Sequence, residues 1–542
     1  MKKIIIIALL IITSLTLIAC NSSFTSRATI SNSTVELTGT SVSFRISLIN
    51  SDDELNEATI DLRLHGPQFD ETQTNDFFAQ TRRFTFTELQ PDTVYTLNVT
   101  ATLPGGQNFV LITRTFTTLA VGDAEDTPIL ISTVEDFLAI PDNPEAYFRQ
   151  TQDIDFAGAQ LTPLFNANLR FRGQYDGDGF TLRNINITAE ATLRNAAYLS
   201  VFGFIRDGAI RNLTLDGVVI DNTAAPENVA LYVGILASRI DDQRAEIDNI
   251  TIKNSTINIA HNLRVENDNL VPVAVNRSLY VGTVIGATHG TITNIVVENT
   301  TVDVQLGNVM PGLTSVAGTY IGGAIGLVEQ NRGMSFENLD IDVAVNVVAN
   351  ITANNNNSML AIGGIFGAHR GMSANNAPAV VGAIARGSVE VDITFPSVGA
   401  DQSWPYNNLW TYIGGFIGWI DVQQATRDIV AYNDVFVNSN ANQLSTSGET
   451  LQVGALIGRS LQSGNVTDRM VSVGQTVEVN AVNLTNSLVE LVNYGLTQTE
   501  ARIALIGTTL TFNSNVVTSN FRVINLEYLT TFIQNEWVLE RL

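Results

Sequence analysis

Residue types that carry chemistry are sparse in this chain of 542 residues, and their spacing excludes more than it supports. Four histidines are present, His65, His261, His289 and His369, and none stands in a His-Glu-x-x-His arrangement, so zinc-peptidase chemistry of that kind has no ligand set. A single cysteine, Cys20, provides neither an internal disulfide nor a thiolate metal site. No Gly-x-Ser-x-Gly elbow lies in a strand-to-helix context, and no phosphate loop ends in Gly-Lys. Close carboxylates occur at Asp153 with Asp155, Asp241 with Asp242, and Asp340 with Asp342. A glycosidase needs two such groups about 5 to 10 Å apart, but pairs on strands or turns read first as a solvated face. Asp176-Gly177-Asp178-Gly179 lacks the remaining ligands of a calcium loop and reads as a tight turn, with Gly177 and Gly179 expected at positive φ. The most distinctive surface candidate is aromatic: Trp404, Tyr406 and Trp410, with Tyr412 and Trp419 close behind. Such side chains stack on sugars or anchor a protein partner. Trp410, Tyr412 and Trp419 also fit as core, which leaves Trp404 and Tyr406 as the exposed pair. The candidate ligand-binding residues are therefore Trp404, Tyr406 and Trp410, and no catalytic residue, metal or cofactor is expected.

The elements that must position these residues belong to a strongly acidic chain. Formal charge is −24, and the only lysines are Lys2, Lys3 and Lys253. Nucleic acid and anionic lipid surfaces are poor partners for it. The segment 1–19 has a basic start, an apolar run from Ile4 to Ile12 and small residues before Cys20, the pattern of a secretory signal rather than a membrane span. Leu17-Ile18-Ala19-Cys20 resembles a bacterial lipobox, which implies that Cys20 is acylated and holds the mature protein on the outer side of a membrane. A Ser-, Thr- and Asn-rich tether follows over 20–27.

Between 28 and 120 the apolar residues alternate in short runs, such as Val42, Phe44, Ile46 and Leu48, and Pro104-Gly105-Gly106 marks a hairpin. About seven strands in about ninety residues suggest a small β-sandwich. Leu89-Gln90-Pro91-Asp92-Thr93-Val94-Tyr95 resembles the corner of a fibronectin type III domain in which a tyrosine hydroxyl bonds back to the preceding turn, although no tryptophan precedes Trp404. Residues 121–130 read as a linker.

From 131 to 525 the chain repeats. Tyr320-Ile321-Gly322-Gly323-Ala324-Ile325-Gly326 followed by Phe336-Glu337-Asn338-Leu339-Asp340-Ile341 is one unit. Its closing glycine recurs at Gly203, Gly286, Gly326, Gly367, Gly418, Gly458 and Gly507, with Ala237 in its place once, at a mean spacing of about 43. Its asparagine recurs at Asn184, Asn212, Asn249 and Asn294, and is lost from later units. Fixed turns with unequal excursions are the signature of a solenoid, in which stacked coils bury what no coil buries alone. A propeller is the competing architecture. Ser132 and Glu135 have capping-box spacing ahead of Val134, Phe137, Leu138 and Ile140, so a short helix is expected to close the open end of the first coil, and residues 526–542 to form a C-terminal cap.

Gln152-Asp153-Ile154-Asp155-Phe156 and Phe171-Arg172-Gly173-Gln174-Tyr175-Asp176-Gly177-Asp178-Gly179, taken with the repeats, resemble bacterial surface proteins carrying GLUG-type repeats. That resemblance implies an all-β chain, a fibronectin-like sandwich followed by a right-handed parallel β-helix, serving as a non-catalytic, lipid-anchored adhesin or ligand-binding protein for extracellular glycan or protein. A carbohydrate-active β-helix enzyme, lyase or glycosidase, is the alternative, and a structural surface-layer component the third reading.

Overall fold

Alternation of apolar residues produces strands throughout, and the strands sort into two units, 1–129 and 130–542. The computed structural model describes residues 24–51, 53–187, 196–222, 230–262, 278–307, 318–329, 334–350, 358–370, 379–394, 409–421, 425–439, 451–460, 466–481, 488–492, 503–506, 509–512, 515–516, 522–523, 529 and 533–542. The expected export signal and Cys20 lie outside the described residues, as do Trp404 and Tyr406.

In the first unit two antiparallel sheets face one another. One runs in the order Phe69–Asp76, Thr59–Gly66, Val94–Thr102, Asn108–Thr117; the other centres on Val42–Ile49, which pairs with Arg27–Ile30, Glu36–Leu37 and Arg82–Phe86. The inward residues of both, including Phe44, Phe86, Leu62, Leu97 and Phe116, are buried together. Phe24 stacks on Phe109 at 3.9 Å, so the sandwich draws in part of the expected tether. The expected linker is also partly folded: Asp126 accepts from the Gly39 and Thr40 amides at 3.1 and 3.0 Å. Tyr95, fully buried, accepts from the Gln90 amide at 2.7 Å through its hydroxyl, which is the tyrosine corner that the sequence suggested. Loss of one such bond costs about 1 kcal/mol. Tyr95→Phe should therefore lower the melting temperature of an isolated 24–129 fragment by about 4–8 °C, measured by circular dichroism.

The second unit is a parallel β-helix. Each coil contributes, for example, Gly318–Gly322, a corner, Ile325–Glu329, and then the long kinked strand Ser335–Asn350. Every one of these pairs in parallel with its counterpart one coil on, which rules out propeller blades. Inside, like sits on like: Ile210, Ile247, Ile292 and Phe336 form one buried stack, and Leu213, Ile250, Ile295 and Leu339 another. Strand pairing at about 4.8 Å makes each stack continuous, so burial is shared between coils and not completed within one.

The kink in the long strand is the repeated asparagine. Asn212, Asn249, Asn294 and Asn338 all hold φ between 54° and 60°, a region that asparagine tolerates because its short amide bonds locally. Their amides bond along the axis, Asn249 Nδ2 to Asn212 Oδ1 at 2.8 Å and Asn338 Nδ2 to Asn294 Oδ1 at 2.9 Å. In the next three coils Gly382, Asp428 and Arg469 occupy the same register and the same positive-φ conformation.

Three details differ from the sequence reading. The capping box uses Thr133 and Asp136, one residue later than expected, because Thr133 takes the extended N-cap conformation; Phe137 and Ile140 are buried while Leu138 is half exposed. In the Asp-Gly turn the positive φ belongs to Asp178 and Gly179; Gly177 is required for clearance, since a Cβ there would lie 2.4 Å from Asn212 O. Ser238 rather than Ala237 stands in register with Gly286, its buried hydroxyl 2.6 Å from that of Ser200.

Candidate functional site

Two strands of each coil meet at the glycine corner, and their outward side chains pack on one another as an apolar cluster of their own. On the first strand a ladder runs through Tyr198, Tyr232, Tyr280, Tyr320, Ala361 and Tyr412. Consecutive rings from Tyr198 to Tyr320 stack at 5.5, 4.4 and 5.6 Å. Across the corner the in-register row is Arg239, Ala287, Leu327, Ala368, Trp419 and Arg459. Alternation puts the residues two further on along the same edge: Asp241, His289, Glu329, Arg370 and Asp421, with Glu329 paired to Arg370 and Arg370 to Asp421. Four titratable side chains, from Asp241 to Arg370, thus occupy four consecutive coils beside a tyrosine ladder.

Arg239 is the hub. Its Nη1 donates to the Tyr232 hydroxyl at 2.7 Å, and its Nη2 lies 3.5 Å from Asp241 Oδ1 and 3.4 Å from Glu329 Oε2. His289 Nε2 sits 2.9 Å from the same Glu329 oxygen, and Arg170 Nη1 reaches Asp241 Oδ2 at 3.3 Å. The guanidinium of Arg170 also lies over the Phe204 ring, 4.8 Å from its centre. Side-chain exposures of 22% for Arg239, 29% for Asp241 and 33% for Glu329 place the group at a rim, where charges are partly desolvated yet reachable.

Burial alone would raise the Glu329 carboxyl, but the His289 bond and the Arg239 charge outweigh it and hold the group below its ordinary value. Burial likewise works against the Arg239 cation, and the surrounding Tyr232, Glu329 and Asp241 reverse that and raise it. Burial pushes Tyr232 upward, so its hydroxyl stays neutral. The result is an ionised carboxylate and a fixed cation. Arg239 Nε and the indole nitrogen of Trp419 are both buried and make no hydrogen bond.

Of the carboxylate pairs singled out from the sequence, only Asp241 reaches this face. Its neighbour Asp242 turns into a loop, where the Arg244 side chain holds it down to about 2. Asp153 and Asp155 serve turns, accepting from the Thr181 amide and from Arg183, and Asp340 pairs with Arg386 at 2.8 Å. Trp410 belongs to the strand Leu409–Gly414, opposite Met359, and Trp419 is buried in the cluster, as its core reading required. Arg239, His289 and Glu329 escaped sequence reasoning. The available signal was the offset of seven and nine residues from each ladder tyrosine, visible only once the repeats are laid in register. Among the described residues, no three or more His, Cys, Asp or Glu side chains stand close enough to hold a metal ion, and no helix is long and apolar enough to cross a membrane.

No protein-family model and no curated protein matches the chain. Solved structures that it resembles include pectate lyase PelI from Erwinia chrysanthemi in complex with tetragalacturonic acid, at 13% identity over 69% of this chain and 87% of that one, with a TM-score of 0.17. The family 28 exopolygalacturonase from Yersinia enterocolitica matches at 10% identity over 91% and 98%, with a TM-score of 0.18. The short form of the sensor domain of the anti-sigma factor RsgI4 from Pseudobacteroides cellulosolvens covers 18% of this chain and 99% of its own, at 21% identity and a TM-score of 0.15. The first two are named as carbohydrate-active enzymes; against them the expectation of a non-catalytic adhesin is withdrawn, and the likeness itself assigns this chain no activity.

Proposed function

We propose that this protein is a carbohydrate-active β-helix that lays an extended polysaccharide along the edge from Asp241 to Arg370 and cleaves it beside Arg239. What supports the reading is one observation: two carboxylates share a single guanidinium nitrogen. Their contacting oxygens, 3.5 and 3.4 Å from Arg239 Nη2, are at most about 7 Å apart. Glycosidases place their carboxyl pairs about 5–5.5 Å apart when they retain configuration and about 6.5–9.5 Å when they invert it, so both classes lie within reach. Glu329, kept ionised, suits the nucleophile or base; the proton donor is then Asp241 or His289. Successive coils rise by about 4.8 Å, which suits a linear chain of sugar rings lying along the stack.

The glycine-bounded units would then be GLUG-type coils serving as a scaffold for hydrolysis. The export signal would place the protein outside the cytoplasmic membrane with Cys20 as acyl acceptor, and Trp404, Tyr406 and Trp410 would add sugar contacts. Incubation of the purified chain with a panel of neutral and acidic polysaccharides, with new reducing ends and product masses followed, tests the proposal. Saturated oligosaccharide products are expected. Unsaturated products would replace hydrolysis by elimination, and retention of every bound glycan without product would sink the proposal.

A further inference from the structure

The outward row of the long strands changes character part-way along the stack. It reads Thr214, Thr251, Val296 and Asp340, then Ile384, Val430 and Val471 in three consecutive coils. Those three apolar residues are fully buried, and what covers them is Leu529, Ile533 and Val538. The covering segment runs across several coils and is fixed at both ends by polar contacts. At one end the Gln534 amide donates to Asp428 Oδ1 at 2.8 Å, and Asp428 is itself clamped by Arg469 at 2.6 and 2.8 Å. At the other, Arg386 Nη2 donates to Arg541 O at 2.9 Å, while the Arg541 guanidinium lies 3.8 Å from the centre of the Trp537 ring.

Between these ends lies Gly382, which stands where the earlier coils carry their ladder asparagine. A Cβ at Gly382 would fall 2.5 Å from Asn535 Nδ2 and 3.2 Å from Asn338 Oδ1. The side chain that coil lacks is thus replaced in space by the amide of Asn535, whose oxygen accepts from Val538 N at 3.1 Å and caps the helix Glu536–Leu539. Of the three later coils that lack the asparagine, only the one with Gly382 leaves this space open, since Asp428 and Arg469 carry side chains there.

We infer that this flank is a built acceptor site for one peptide, residues 533–542 of the same chain, and that Gly382 sets the register at which the peptide seats. The apolar row supplies area, Asp428 and Arg386 fix the two ends, and the notch at Gly382 receives the Asn535 amide. Specificity comes from the notch because an apolar strip by itself would let the segment slide along three similar coils.

Hydrogen exchange of the full chain tests this. Gly382→Asn refills the notch with a residue that four equivalent positions already hold at the same φ, so the coils should keep their protection. Amides of 533–540 should meanwhile lose protection by about tenfold or more. Asn535→Leu, which leaves the coils untouched, should release the same amides. Gly382→Asn combined with Asn535→Gly returns the asparagine to the coil and empties the segment's side, and should recover most of the protection, since glycine at an N-cap costs only a few tenths of a kcal/mol. Unchanged protection of 533–540 in Asn535→Leu, or a double variant as unprotected as Gly382→Asn alone, would overturn the inference.

Discussion

Glu329→Gln and Asp241→Asn are each expected to lower polysaccharide turnover by about 10²–10⁴-fold, with binding of the same glycan changed by less than about threefold. Both substitutions keep shape and hydrogen-bonding capacity while removing charge, so Arg239 retains an acceptor on either side and the tyrosine ladder is not disturbed. The two variants also separate roles. Removing the nucleophile or base at position 329 should abolish both steps of a retaining reaction, whereas loss of a proton donor at 241 should spare substrates with good leaving groups. If Asp241→Asn is nearly silent, His289 is the donor, and His289→Gln should then take its place.

The pH profile gives an independent reading. A carboxylate whose folded pKa is depressed remains ionised below its ordinary value of 4.5, and Glu329 is depressed by the His289 bond and the Arg239 charge against an opposing effect of burial. The acid limb of kcat/KM should therefore fall below the usual glutamate range, and Arg239→Gln, which removes one of those charges, should move it upward. An acid limb unmoved by Arg239→Gln would detach Glu329 from the chemistry.

How far the sequence exposed all this depends on which physical rule governs each feature. Tyr95 and its turn were legible because the corner is local: seven residues contain both partners of the bond. The coils were legible because stacking demands the same residue types at each return, so Ile247 above Ile210 and Asn249 above Asn212 repeat in the sequence as they do in space. The candidate site was not legible, because it is built from what differs between coils. Arg239 and Glu329 are 90 residues apart and share no motif; they meet because two intervening returns of the coil bring their positions onto one edge. The same holds for Asn535, whose partner is an absence at Gly382. In the aromatic run after Trp404, the core reading of Tyr412 and Trp419 holds, since both complete an apolar cluster with Met359.

Gly363→Ala should destabilise the β-helix by about 4 kcal/mol or more, seen as a lowered urea midpoint of the second unit. Glycine stands at this corner in six described coils, at Gly234, Gly282, Gly322, Gly363, Gly414 and Gly454, and at the first five an added Cβ would meet the carbonyl oxygen of its own turn at 2.2, 2.6, 2.1, 2.1 and 2.2 Å respectively. At Gly363 the methyl group would also lie 2.8 Å from Gly418 N and from Ile417 Cα of the following coil. All of these are backbone atoms, so no side-chain rotation relieves the clash. The corner can open only by moving Phe366 O away or by lifting one coil off the next, and the second route breaks parallel pairing on both strands that meet there. Because the same corner sets how closely the tyrosine row and the Arg239 row approach, such a shift would also spread the candidate site. Gly179→Asn is the control: φ is +83° there, unlike at Gly363, but a Cβ would meet nothing within 4 Å, and asparagine tolerates the conformation. Its cost should stay within about 1 kcal/mol. Equal destabilisation by the two variants would show that the glycines serve backbone conformation in general, and that close approach at the corner is not what holds the coils in place.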